Sequence, residues 1–188
     1  QEKRLLRLAL LNTDALVENP EKAPAAWKMI GRPLEIAVAR GAANRGLLLP
    51  EITNTVEIIG RLPFSSERKF SAVLFHDAEE TCLVMVGAPE LILKFTNLPA
   101  AEQAAIAKTV DERAAQGERL VGVLAKQMAR DHQTITPDFS FHEMEFIGLL
   151  GFRDPLRSGV RTALAKAARA GVRTVIVTGD HRGTAEAV

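Results

Sequence analysis

The sequence has a single cysteine, no excess of charge of either sign and no apolar run long enough to cross a bilayer, and each shortage excludes something. One thiol, Cys82, can neither close an internal disulfide nor build a thiolate metal site, so a reducing compartment, by default the cytosol, is expected. With 24 basic and 23 acidic side chains the formal charge is +1. Such a chain lacks the basic field that holds nucleic acid by neutralising phosphates, and nucleic acid is not an expected partner. The apolar stretches, such as those around Leu47 to Leu49 and Val172 to Val177, are strand-sized, whereas a spanning helix needs about 18 apolar residues. Gln1-Glu2-Lys3-Arg4 leads into a charged, apolar helix rather than a signal-peptide core, and a chain that starts on glutamine reads as a piece of something longer.

What is present is the composition of a globular protein: 188 residues, 47% hydrophobic and 25% charged, enough for one domain or one domain and a smaller piece. Leu5, Leu6, Leu8, Ala9 and Leu11 predict a helix that stops at Asn12-Thr13-Asp14. A loop with Pro20, Pro24 and Trp27 follows, and Pro33 marks the first turn of a helix running to about Gly46. From Thr53 to Val86 the pattern turns to strands, with Val56, Ile58, Val73, Phe75, Leu83 and Met85 at alternating positions and a hairpin turn at His76-Asp77-Ala78-Glu79. Ala88 to Phe95 and Pro99 to Gln116 read as helices, and Leu120 to Lys126 and Glu145 to Phe152 as further strands. After Gly151 the grammar changes to a helix from Leu156 to Ala170, an apolar strand from Val172 to Val177 and a Thr178-Gly179-Asp180 turn, the order of a doubly wound sheet. The predicted class is α+β, an antiparallel sheet flanked by helices over residues 1–150, followed by a partial α/β piece over residues 151–188 with Asp154-Pro155 at the junction.

Most familiar chemistry is missing. There is no Walker-type loop, no Gly-x-Ser-x-Gly elbow and no His-Glu-x-x-His. His76, His132, His142 and His181 are dispersed without ligand spacing, so no metal site is predicted, and Cys82 reads as a core residue of an alternating strand. The segment that stands out is Pro63-Phe64-Ser65-Ser66-Glu67-Arg68-Lys69-Phe70-Ser71, where an aromatic beside a lysine could stack on a planar ring while the ammonium attracts phosphate. An exposed hairpin rim with a core phenylalanine accounts for the same residues. Val86-Gly87-Ala88-Pro89-Glu90, Gly117-Glu118-Arg119, Asp154-Pro155-Leu156-Arg157 and Thr178-Gly179-Asp180 follow in order.

In that order and at those separations, these segments resemble the P-type cation-transporting ATPases, specifically their cytoplasmic nucleotide-binding domain and the adjoining part of the phosphorylation domain, over nearly the whole chain. The resemblance implies ATP, with Mg²⁺, as the ligand. It implies that Phe64 stacks on adenine, Glu35 lies near the adenine edge, Lys69 lines the pocket, Gly87 lets the base approach backbone and Arg119 reaches towards the phosphates. Arg157 would meet phosphate near the hinge, and Thr178 and Asp180 would approach the transferred phosphoryl group in a haloacid-dehalogenase-like domain, where positioning and charge stabilisation do most of the work.

Three positions depart from the family pattern. Val86 stands where a lysine is common, Arg32-Pro33-Leu34-Glu35 where Asp-Pro-Thr-Glu is common, and Ser66 where an arginine is common. A lost charge-assisted contact is worth about 1.5–3 kcal/mol, so weak nucleotide binding is expected, with Arg32 as a source of charge from another direction. The sequence contains no Asp-Lys-Thr-Gly-Thr, the family's phosphorylation motif. By resemblance the parent is an integral membrane pump with phosphorylation, actuator and transmembrane domains, and this piece lies on its cytoplasmic side, binds nucleotide and forms no phosphoenzyme. The uncovered apolar surface of a partial second domain is expected to favour self-association. Two rivals are a binding or regulatory module that kept the fold and lost the nucleotide, and a haloacid-dehalogenase-like phosphatase; the latter needs an Asp-x-Asp motif that the sequence lacks.

Overall fold

The leucine-rich opening forms the predicted helix, α1 (Glu2–Leu11), which buries Leu6, Leu8, Ala9, Leu10 and Leu11. The computed structural model describes residues 1–78, 80–130, 134–153, 159–175 and 177. After α1 come a two-residue ribbon, β1 (Leu16–Val17) antiparallel to β2 (Met29–Ile30), then α2 (Pro33–Ala43) with Pro33 in its first turn, and a short α3 (Leu49–Thr53). α3 lies where the sequence suggested the start of the strands. Pro50 opens that turn, and β structure begins only at Glu57.

Five strands follow: β3 (Glu57–Leu62), β4 (Phe70–His76), β5 (Thr81–Gly87), β6 (Arg119–Met128) and β7 (Glu145–Phe152). They form one antiparallel sheet in chain order, β3-β4-β5-β6-β7. The predicted hairpin links β4 to β5, closed by the Asp77 amide donating to the Glu80 carbonyl at 2.9 Å. Between β5 and β6 lie α4 (Pro89–Ile92), a 3₁₀ turn over Leu93–Phe95 and α5 (Ala100–Ala114). α5 forms as its Pro99 start and Gly117 stop suggest, yet none of its residues is buried. β7 runs through Gly151 to Phe152, which pairs with Arg119, so the sheet continues just past the boundary placed at Leu150.

The middle strands are covered on both faces. One face sends Val73, Phe75, Val84, Val123, Ala125 and Ile147 against α1, α2 and α3. The other sends Ala72, Leu74, Leu83, Met85 and Leu124 against Ile92 of α4 and against Ile135 and Met144 from the β6–β7 connection. Alternation along each strand thus serves two cores, because successive side chains point to opposite faces.

The last part of the chain differs from its prediction. Helix α6 (Val160–Arg169) begins at Val160, behind Gly159 with a left-handed φ of 90°, and Leu156 lies outside the described residues. No strand forms over 172–175, and Val172, Val175 and Val177 are 58%, 67% and 93% exposed. A parallel strand needs neighbours to take its backbone bonds and cover its faces, and none is present among the described residues.

Asn12, at the end of α1, ties the helix layer to the sheet. Its buried amide donates to the Val84 carbonyl at 3.1 Å, and its oxygen accepts from the Ser71 hydroxyl at 2.6 Å. Asn12→Ala is expected to lower stability by about 1–3 kcal/mol, because it leaves these buried partners unpaired; urea denaturation reads the change, and an unchanged midpoint would show the link to be dispensable.

Candidate functional site

The rim loop between β3 and β4 is tied to itself. The Lys69 amide donates to the Ser65 carbonyl at 2.7 Å, the Arg68 amide to Ser65 Oγ at 3.1 Å, and the Arg68 guanidinium to the Pro63 carbonyl at 3.0 Å. The turn leaves Phe64 41% exposed, an unusual position for a large aromatic and the one the sequence singled out. Lys69 is exposed and sits at φ 55°, a left-handed conformation that costs a residue with a Cβ about 1–2 kcal/mol. Such strain persists only where the surroundings dictate it.

The surroundings here are Phe70 and Gly87. Phe70 is buried in edge contacts with Phe95 at 5.8 Å and Phe141 at 5.3 Å, and it lies directly opposite Gly87 in the β4–β5 ladder. A Cβ on Gly87 would fall 2.4 Å from Phe70 Cβ and 2.7 Å from the Lys69 carbonyl oxygen. That carbonyl in turn accepts the Ala88 amide at 3.1 Å, just ahead of α4. The sequence offered Gly87 as a place where a ligand approaches backbone; in the structure the space a side chain would take is filled by Phe70 and Lys69. Strand packing thus gives a structural reason for a glycine at this position.

Glu35 is on the third position of α2 and is buried. One carboxylate oxygen accepts the Arg32 amide at 3.2 Å, and the other accepts Arg32 Nε at 3.1 Å together with a second guanidinium nitrogen. The same guanidinium lies over the Phe64 ring, 5.3 Å from its centroid. Arg32 thus joins Glu35 to Phe64, two residues that the sequence placed near one ligand. Its place one residue before the helix proline was the available signal, but nothing in the sequence reveals which ring it covers.

Arg119 opens β6 and is exposed, and its side chain makes no hydrogen bond or ion pair to another described residue. Gly122, three residues on, pairs with Gly87, which places Arg119 about 10 Å along the strand from that pair. Its neighbour Glu118 is held by Arg113 at 2.9 Å. Val86 is partly buried against the helix-side core, so it adds carbon, not charge, beside Gly87. Arg157, Thr178 and Asp180 lie outside the described residues, as does the Asp154-Pro155 junction.

Two concavities, of about 440 and 400 Å³, are lined by other residues. The first lies between Arg4, Arg7, Asp77 and Cys82, the second between Asp14, Leu16, Pro50 and Arg61, and neither includes Phe64 or Lys69. Burial pushes the Cys82 thiol up to about 11, so it stays protonated at neutral pH. The candidate site is instead an open rim with an aromatic, two flanking cations and one buried carboxylate.

An α+β domain with a double-faced antiparallel sheet and a Phe/Lys rim is the class these features define. The family "P-type ATPase, cytoplasmic domain N" matches residues 2–159, and the chain belongs to it. It is 31% identical over 170 residues to Calcium-transporting ATPase 1 of Saccharomyces cerevisiae, covering 83% of this chain and 18% of that protein. A calcium-transporting ATPase of Listeria monocytogenes is 26% identical over 100% of this chain and 22% of its own length. Probable cation-transporting ATPase F of Mycobacterium bovis is 30% identical over 98% of this chain and 21% of its own. The chain spans about a fifth of the length of these relatives.

The Phe70–Gly87 contact gives a test. Gly87→Ala forces backbone apart and is expected to cost about 1–3 kcal/mol, whereas Gly122→Ala, whose Cβ comes closest to the end of the Ile92 side chain rather than to backbone, is expected to cost less. Denaturation midpoints of the two variants compare them directly, and equal losses would refute the packing explanation.

Proposed function

We propose that this chain binds an adenine nucleotide on the rim formed by Phe64 and Lys69, as part of a P-type ATPase that couples ATP hydrolysis to cation transport. The observation that carries the reading is the exposed Phe64 ring held by a self-tied turn, with a strained lysine at the end of the same turn. A large aromatic exposed at such a rim offers a face for a purine, and an ammonium nearby offers a partner for phosphate oxygens. Glu35 lies on the purine side through its link to Arg32, and Arg119 faces the phosphates from the start of β6. Arg157, Thr178 and Asp180 take the phosphoryl and Mg²⁺ end. Family membership supports this assignment; the relatives' names, calcium-transporting and cation-transporting ATPases, support the wider function.

Affinity is weak, with a dissociation constant on the order of millimolar, because Val86 and Ser66 remove two cations from the neighbourhood. Titration with MgATP is expected to show saturable binding by the chain and its loss in Phe64→Ala, since base stacking on an aromatic is worth about 1–3 kcal/mol. Equal binding by both proteins would overturn the stacking role.

The chain carries no Asp-Lys-Thr-Gly-Thr sequence, so it accepts no phosphoryl group itself. Incubation with MgATP is expected to give no acid-stable, hydroxylamine-sensitive phosphoprotein; detection of one would refute this. A second reading, a module that keeps the fold without nucleotide, draws on the Arg32 guanidinium already lying over the Phe64 face. The same titration separates the two.

A further inference from the structure

Resting on the nucleotide reading, we propose that Arg32 sets the ligand preference of the Phe64 platform: its guanidinium, which lies over the ring, gives way only to a ligand whose phosphates offer it a new partner. A guanidinium and a purine are both planar and compete for the same aromatic face. The Arg32 group stands 5.3 Å from the centroid of Phe64, so a base entering that face must displace it.

The displacement is local because the anchor is fixed and the cap, though tied to Glu35 through Nε and a second guanidinium nitrogen, is half-exposed. The Glu35 side chain is 7% exposed and held within α2, while the Arg32 side chain is 46% exposed. Arg32 can leave the ring and still keep a contact with Glu35, swinging on its own long stem. Its charge is then uncovered at the rim. Of the other cations in the loop, Arg68 is committed to the Pro63 carbonyl, and Lys69 stands at the loop's far end. A polyanionic ligand therefore regains through Arg32 what the ring contact loses. An uncharged base regains nothing, so the arrangement selects nucleotides against nucleosides.

The test uses the 188-residue chain as wild type, Arg32→Ala, Arg32→Lys and Phe64→Ala, each titrated with adenosine and with MgATP by NMR. Arg32→Ala is expected to bind adenosine about two- to fivefold more tightly, the cation–ring contact being gone. It should bind MgATP about tenfold more weakly, since a charge-assisted hydrogen bond to phosphate is lost. Arg32→Lys keeps the charge without the planar fork and is expected to fall between wild type and Arg32→Ala. The MgATP-to-adenosine ratio is measured within each variant, so partial loss of folding does not mimic the effect. In the empty wild type the Arg32 Nε–H resonance should carry a ring-current shift that disappears in Phe64→Ala and on adding MgATP.

If Phe64→Ala abolishes binding but Arg32→Ala changes both ligands by one factor, or neither, this inference fails and the nucleotide reading stands. Absence of the ring-current shift in the empty protein would also sink the inference alone. If Phe64→Ala binds MgATP as wild type does, or no protein binds either ligand, the nucleotide reading fails and takes the inference with it.

Discussion

The contact between Phe70 and the bare Cα of Gly87 is the constraint on which the rim depends. Phe70 is locked below the sheet by Phe95 and Phe141, with Phe139 packed on Phe141 behind them. Because β4 must start with Phe70 in that cluster and its ladder partner has no side chain, the chain arriving from Ser65 has little room. Lys69 takes up the difference by adopting a left-handed backbone. Its amide closes the turn that exposes Phe64, and its carbonyl caps the entry to α4. A packing event on one face of the sheet thereby shapes the candidate site at its edge.

The double-sided sheet explains why this can work. An antiparallel sheet often leaves one face to water, but here β4, β5 and β6 carry apolar residues on both faces and are clamped between two cores. Such strands have little freedom to shift register, since a slip of one residue would exchange the two sets of side chains. Asn12 adds a polar fastener between α1 and the strands at the middle of this arrangement. The candidate-site residues sit where regularity ends, at a strand start, a turn and a helix N-terminus.

Charge at the rim is arranged as pairs and spares. Glu35, the buried carboxylate, is neutralised by Arg32, and a buried carboxylate without such a partner would be costly. Lys69 and Arg119 are exposed at strand starts. Val86 on β5 and Ser66 in the β3–β4 turn carry no charge, while Arg32 places one at the start of α2. That placement beside the aromatic is visible only once Arg32 is seen against Phe64.

Much was legible in the sequence because it depends on short-range periodicity. The leucines of α1, the proline at the head of α2, the alternation in β4 and β5, and the extents of β6 and β7 follow from helix and strand spacing and from stop signals such as Gly117. Phe64 and Lys69 were also marked by the juxtaposition of an aromatic and a cation in a polar turn. Long-range contacts carry no such signal. The run from Val172 to Val177 has strand composition, yet no strand forms over 172–175 among the described residues, α5 has helix signals but none of its residues is buried, and α3 is too short for periodicity to declare it. The reason for Gly87 lies in a residue on another strand, and the role of Arg32 in a ring more than thirty residues away in sequence. The sequence by itself determined most of the helices and strands, the family and the residue types at the rim. Only the tertiary structure decided which faces are buried, why Lys69 is strained and what covers Phe64, because those depend on distances between segments that local pattern does not encode.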